Sequence, residues 1–294
     1  MFRLQDESKT SRLVSITVVA HAAKKEPTRW FPKKRSNYFM DGIYDVTTLT
    51  GTQYTIVSGF LSLGFAAMFA TTIYLYISQG RVLPKYRQAI VISGTVTLIA
   101  LYHYWRIYDS FKAAHAGAEV FNEAYRYVDW LLTVPLLLLE TIAVLALPAV
   151  QRKSLVSKLV PASAAMIILG YPGEVSADMA TKALWGGLST IPFLFILYVL
   201  FVELTKALDK QPGDVAATVK RLRLLLIATW GVYPISYLLP LIGIDGANSF
   251  VGRQVGYTVA DILAKCLFGL TIYKIARLKS AADDASYASA EGMH

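Results

Sequence analysis

Apolar residues in this chain come in long runs separated by short polar breaks. A helix needs about 20 predominantly apolar residues to cross the hydrocarbon core of a bilayer. Seven stretches approach that length: about Tyr54–Ser78, Arg87–Tyr108, Glu123–Leu147, Leu155–Tyr171, Lys182–Leu208, Val219–Ile242 and Phe250–Leu278. Alternating segments of roughly ten residues, the mark of a membrane β-barrel, are absent. The pattern predicts an all-α integral membrane protein, a bundle of seven transmembrane helices over residues 51–279. A basic N-terminal extension, 1–50, and a C-terminal tail, 280–294, fall outside it, and both are expected to be disordered. Gly170-Tyr171-Pro172-Gly173 reads as a turn at the end of the fourth span, not as a phosphate cradle.

Composition agrees with a membrane. Hydrophobic residues make up 55% of the chain and charged residues 17%, against roughly 25% charged in soluble domains. The net charge of +9 could suggest a nucleic-acid partner. Much of it sits in short loops and the N-terminal extension, which points to a membrane surface instead, so the expected partner is the lipid bilayer and no nucleic acid. The connection after the first span carries Arg81, Lys85 and Arg87, that after the third Arg152, Lys153 and Lys158, and that after the fifth Lys206, Lys210, Lys220, Arg221 and Arg223. In the other connections Lys112, Lys182 and Arg253 stand among Asp109, Glu119, Glu174, Asp178 and Asp245. The positive-inside rule therefore puts the C-terminus in the cytoplasm and the N-terminus outside. The extension fits this poorly, since it is rich in Lys and Arg. Its run Leu13 to Ala20, followed by Ala20-His21-Ala22, faintly resembles a signal peptide, but Asp6, Glu7 and the short apolar core favour an uncleaved tail. Cys266 is the single cysteine and reads as a buried inert thiol, so no intrachain disulfide can form.

Two polar features interrupt the apolar spans. Lys265 lies one helical turn after Asp261 in the seventh. A charge at membrane depth costs roughly 2.5–3.5 kcal/mol on insertion scales, so it needs a partner and usually a function. A desolvated amine beside a carboxylate suits attack on a carbonyl; a structural ion pair is the plainer alternative. In the third span Arg126, Asp129, Thr133 and Glu140 share one helix face, with Asp129 and Glu140 about 16 Å apart along the axis. Polar seams also glue helices together, but a seam does not need two carboxylates at different depths. A path for protons does. No metal-ligand cluster, nucleotide loop or hydrolytic triad is visible, and the chain reads as a transporter, not an enzyme.

The run Arg126-Tyr127-Val128-Asp129-Trp130-Leu131-Leu132-Thr133-Val134-Pro135-Leu136-Leu137, together with Asp261-Ile262-Leu263-Ala264-Lys265, resembles the microbial rhodopsin family over about residues 52–278. The triplet Asp129, Thr133 and Glu140 is similar to that of proteorhodopsin- and xanthorhodopsin-type outward proton pumps. The resemblance implies that Lys265 carries all-trans retinal as a protonated Schiff base in the cell membrane. Asp129 would be the primary proton acceptor and counterion, Asp261 the second counterion, and Glu140 the proton donor from the cytoplasmic side. Thr133 would hydrogen-bond near the acceptor, Arg126 would lie on the extracellular side, and His103 would pair with Asp129. A lone helical histidine is otherwise an ordinary core residue.

Trp130, Trp230, Tyr233, Pro234 and Tyr257 would wall the retinal pocket, although Tyr237 replaces a tryptophan found in many relatives. Leu137 stands where relatives with leucine absorb green light and those with glutamine absorb blue, so green absorption is expected. Gly186 stands where many relatives carry tryptophan. With the run Leu169–Val175 it is similar to the xanthorhodopsin group, in which such a gap admits a carotenoid antenna. A hydroxylated carotenoid is the cofactor this implies, and close helix packing through small residues is the alternative. Relatives form pentamers or trimers, so a homo-oligomer is expected. For the proton-release group the sequence offers Glu174, Glu119 and Glu123 without choosing. A photosensor signalling through a partner is the rival function; it shares the lysine but usually lacks a carboxylic donor, which Glu140 supplies here.

Overall fold

The computed structural model describes residues 44–288, apart from 209, 210, 212 and 245. Every regular element among them is helical, and they form seven rods. α1 is Gly51–Ser78, α2 Pro84–His115, α3 Ala124–Leu145 and α4 Ala149–Glu174. α5 starts as Met179–Tyr198 and continues through a π-helical stretch, Val199–Glu203, into Leu204–Leu208. α6 comprises Gly213–Trp230 and Val232–Leu238. α7 comprises Gly246–Asp261, a π-helical stretch Ile262–Leu267, and Phe268–Asp283. Six of these are long and apolar enough to cross a membrane. The seventh, α6, is broken at Gly231. Pro234 has no N–H for the carbonyl one turn back, so the helix bends there.

Local chemistry sets the helix ends. Thr50 and Gln53 form a reciprocal capping box at the start of α1. Pro84 opens α2, where a missing N–H costs nothing. Asp178 accepts from the Thr181 N–H at the start of α5. Sequential rods pack as antiparallel neighbours, and α7 closes the bundle against α1, α2, α3 and α6. Ile77, Ile191 and Leu224 are among the large apolar side chains left exposed on the outside, as a helix facing lipid requires.

The structure changes three expectations. α7 runs past Leu278 to Asp283, followed by a turn at Ala285–Tyr287 whose Tyr287 carbonyl accepts from Arg277 Nη2 at 3.0 Å. The start of the tail drawn at residue 280 is therefore ordered. At the other end, Val46–Thr48 forms a capped turn with Val46 buried, and the Val46 carbonyl lies 2.9 Å from His115 Nδ1. The remainder of both terminal segments lies outside the described residues. Finally, Gly170-Tyr171-Pro172-Gly173 is helix, not turn. A proline costs a helix one hydrogen bond, and here close packing offsets it. A Cβ on Gly173 would meet the Tyr237 hydroxyl of α6 and Trp185 of α5, and one on Gly170 would meet Ser189 and Tyr127.

Candidate functional site

α7 widens into its π-helical stretch at Lys265, and such stretches in other proteins frequently mark functional sites. Lys265 Nζ donates to Asp261 Oδ1 at 2.9 Å, one turn back on α7, and to Asp129 Oδ2 on α3. All three residues are at most 2% exposed. One cation between two carboxylates leaves a net negative charge, and Arg126 offsets it with Nη1 3.7 Å from Asp261 Oδ2. Paired this way, the charges escape most of the cost of isolation at membrane depth.

The two carboxylates are held differently. Asp261 also accepts from Tyr233 Oη at 2.6 Å, Trp130 Nε1 at 3.3 Å and Tyr104 Oη at 2.9 Å. Asp129 Oδ1 has no hydrogen-bond donor among the described residues. His103 Nδ1 stands 3.7 Å from that oxygen and 3.0 Å from the Ile99 carbonyl. The Thr133 hydroxyl donates to the backbone carbonyl of Asp129 at 2.8 Å, not to its carboxylate. Asp261 is thus a saturated anion, and Asp129 has an oxygen free to take a proton.

Lys265 heads a cavity of about 350 Å³. Small-molecule pockets span about 300–1,000 Å³ and are mostly apolar. Trp130, Leu137, Trp230, Tyr233, Pro234, Tyr257 and Gly186 all line it. The Trp130 ring meets Tyr233 and Tyr257 edge-on, with centroids 5.0 and 5.2 Å apart. An elongated apolar molecule ending in a carbonyl fits this donor set: an amine at one end, two carboxylates to balance a positive nitrogen, and aromatic walls. Gly186 faces Tyr237, whose ring would lie 2.8 Å from a Cβ placed there. The Tyr237 hydroxyl donates to the Lys182 carbonyl at 2.7 Å. The neighbouring Gly187 is exposed, and a Cβ there meets nothing within 4 Å.

Glu140 is fully buried on α3, away from this centre. Neither carboxyl oxygen has a hydrogen bond of normal geometry among the described residues, and the polar group beside it is the Ser93 hydroxyl of α2. From Asp129 a different set of contacts leads the other way. Arg126 Nη2 donates to Gln254 Oε1 at 2.7 Å, and Gln254 Nε2 donates to Glu123 at 3.4 Å. Arg253 joins Glu123, at 3.9 Å, to Glu174, at 2.5 Å. Glu119 is exposed and outside these contacts.

Several of these residues escape a reading of the sequence. Arg253 and Lys182 look like loop charges, yet both are buried inside helices, and Lys182 Nζ bonds the carbonyls of Gly173 and Glu174. Gln254 carries a usable signal, since it precedes Asp261 by two turns on one face of α7. Tyr104 carries none, because a tyrosine in an apolar helix is unremarkable until its neighbour is known.

Seven membrane helices around a lysine clamped by two carboxylates, at the head of an aromatic cavity, define a narrow class of membrane protein. Residues 55–278 match the family described as Bacteriorhodopsin-like protein. The green-light absorbing proteorhodopsin of Gamma-proteobacterium EBAC31A08 is 30% identical over 236 residues, which cover 80% of this chain and 89% of that one. The crystallographic structure of xanthorhodopsin, a light-driven ion pump with dual chromophore, is similar at 45% identity and a TM-score of 0.76, covering 80% of this chain and 97% of its own. The thermophilic rhodopsin structure follows at 42% and 0.77, covering 80% and 98%. The chain belongs to the bacteriorhodopsin-like family of microbial rhodopsins and is a multi-pass membrane protein.

Proposed function

We propose that this chain is a light-driven pump that carries protons outward, with all-trans retinal attached at Lys265. One observation carries the reading: Asp129 touches Lys265 Nζ, while Glu140 lies buried on the same helix, eleven residues and about 16 Å further along. Retinal bound there would supply absorption of visible light and a light-driven change in the direction of the N–H at the lysine nitrogen. Trp130, Trp230, Tyr233, Pro234 and Tyr257 hold the cavity's shape and keep water from the charge centre. Asp129 takes the proton from the Lys265 nitrogen on its free oxygen. Asp261 stays anionic under its three neutral donors and Arg126. Glu140 returns a proton to the same nitrogen from the opposite side, so transport runs one way.

Direction follows from charge. The lysine- and arginine-rich loops lie at the bundle end nearer Glu140, which makes that end cytoplasmic. The contacts from Arg126 through Gln254 to Glu123 and Glu174 lead outward from Asp129 and support an exit on that side. In an illuminated, unbuffered suspension of cells fed retinal, the medium is expected to acidify, and a protonophore should abolish the change. Alkalinisation would reverse the direction. A coloured protein with no pH change would favour the photosensor instead.

Two smaller predictions concern colour. Wild type should absorb green light, and Leu137→Gln, inside the cavity wall, should move the maximum to shorter wavelength. His103→Ala should move the pH titration of the absorption maximum, since His103 is the ionisable side chain nearest the free oxygen of Asp129. An unmoved titration would dismiss the pairing.

A carotenoid antenna is a second reading, favoured by the likeness to a dual-chromophore pump and by Gly186 and Gly187 on the cavity's outer side. A hydroxylated carotenoid lying there would add its own band to the action spectrum of pumping. Reconstitution that yields no such band would count against it.

A further inference from the structure

Gly64 of α1 lies directly against the ring of Tyr104 of α2. A Cβ at Gly64 would fall 2.3 Å from Tyr104 Cε1 and 2.5 Å from Cδ1. The ring has little room to retreat: Tyr104 is 1% exposed, and the Arg126 guanidinium lies 5.6 Å from its centroid on another side. At the end of that ring is the hydroxyl that donates to Asp261 Oδ2 at 2.9 Å.

We propose that Gly64 is a positioning residue of the charge centre: its missing side chain seats the Tyr104 ring where the hydroxyl reaches Asp261. The consequence is a division of labour between the two carboxylates. Asp261 faces Lys265 from its own helix, Arg126, Asp129 and Trp130 from α3, Tyr104 from α2 and Tyr233 from α6, while His103 of α2 faces Asp129. Removing one neutral donor leaves Asp261 a less stabilised anion that competes with Asp129 for the proton. The carboxylate pair as a whole then holds a proton more tightly. This rests on the reading of Lys265 as the site of a light-absorbing proton pump.

Close approach through glycine is also an ordinary way for membrane helices to pack, so the test needs a readout that packing alone would not move. In the retinal-loaded full chain, the acid-induced colour change reports protonation beside Lys265. Gly64→Ala and Tyr104→Phe should each move its midpoint to higher pH by about one unit, the scale of one hydrogen bond to a charged group. The double variant should show no larger shift than either alone, because both remove the same contact. A midpoint unmoved in Tyr104→Phe, additive shifts, or a lower melting temperature in Gly64→Ala with no spectral change would each overturn the proposal.

The ring seat can also be read without retinal. Gly64→Ala should lower the melting temperature of the detergent-solubilised chain but not that of a Tyr104→Leu background, where the smaller side chain leaves room. Equal destabilisation in both backgrounds would overturn the seat. A seat confirmed in a chain that takes up no retinal would sink the pump reading and, with it, the assigned role of Gly64, leaving only packing.

Discussion

Asp129→Asn is expected to leave a protein that still takes up retinal and colours but moves no protons. The amide keeps the shape of the side chain and loses the base. Lys265 stays charged and keeps Asp261 as its counterion, so the pigment should form. Its absorption should shift to longer wavelength, because less negative charge then holds the positive charge at the nitrogen end. General-base contributions are typically about 10²–10⁴-fold, so light-driven pH change in cells or vesicles should fall below about 1% of wild type. Pumping that survives would transfer the acceptor's role to Asp261. That would contradict the saturation of Asp261 by Tyr233, Trp130 and Tyr104.

Glu140→Gln should spare colour and the first proton transfer but slow the return of the proton to Lys265. The buried acid is the nearest source on its side, and without it the proton must come from bulk water. Recovery after a flash should slow by about 100-fold or more. It should also become proportional to proton concentration, slowing about tenfold for each unit of pH increase. Wild type should be much flatter over the same range, since Glu140 delivers a stored proton. Flash-induced absorbance changes followed at several pH values would decide it. An unchanged recovery would mean that Glu140 is only a buried helix contact.

The helices were legible in the sequence because membrane spans announce themselves by length and apolarity. The bend of α6 at Gly231 was less so, since a proline lowers the regularity of a helix without removing its apolar face. Within the site, Lys265, Asp261, Asp129 and Glu140 stood out because each is an ionisable residue in an apolar run. Their sharing of one centre, or their separation along one helix, followed from helical geometry and the family resemblance. What stayed hidden depended on contacts between helices. Tyr104 and Gln254 are chemically ordinary until the packing brings one to Asp261 and the other to Arg126. Arg253 and Lys182 were misread for a related reason. Both sit near helix ends, where a positive charge is normally solvated, and only the fold shows them buried against carboxylates or carbonyls. Gly186 is a sharper case. Its sequence neighbourhood suggested a gap, and the structure fills the space against it with the ring of Tyr237.

The wide turn at Ile262–Leu267 gives α7 two phases in place of one. One spare residue, about 100° of rotation, separates the register in which Gln254, Tyr257 and Asp261 face inward from that in which Ile272, Tyr273 and Ala276 do. The inner and outer halves of this helix are therefore interchangeable parts only if the spare residue travels with them. A chimaera spliced within the turn to regular α-helical spacing would keep the hydrophobicity, the length and almost every residue, and still aim Lys265 away from its cavity. Among relatives, a one-residue gap in an alignment at this point is a change of wiring, not a trimmed loop.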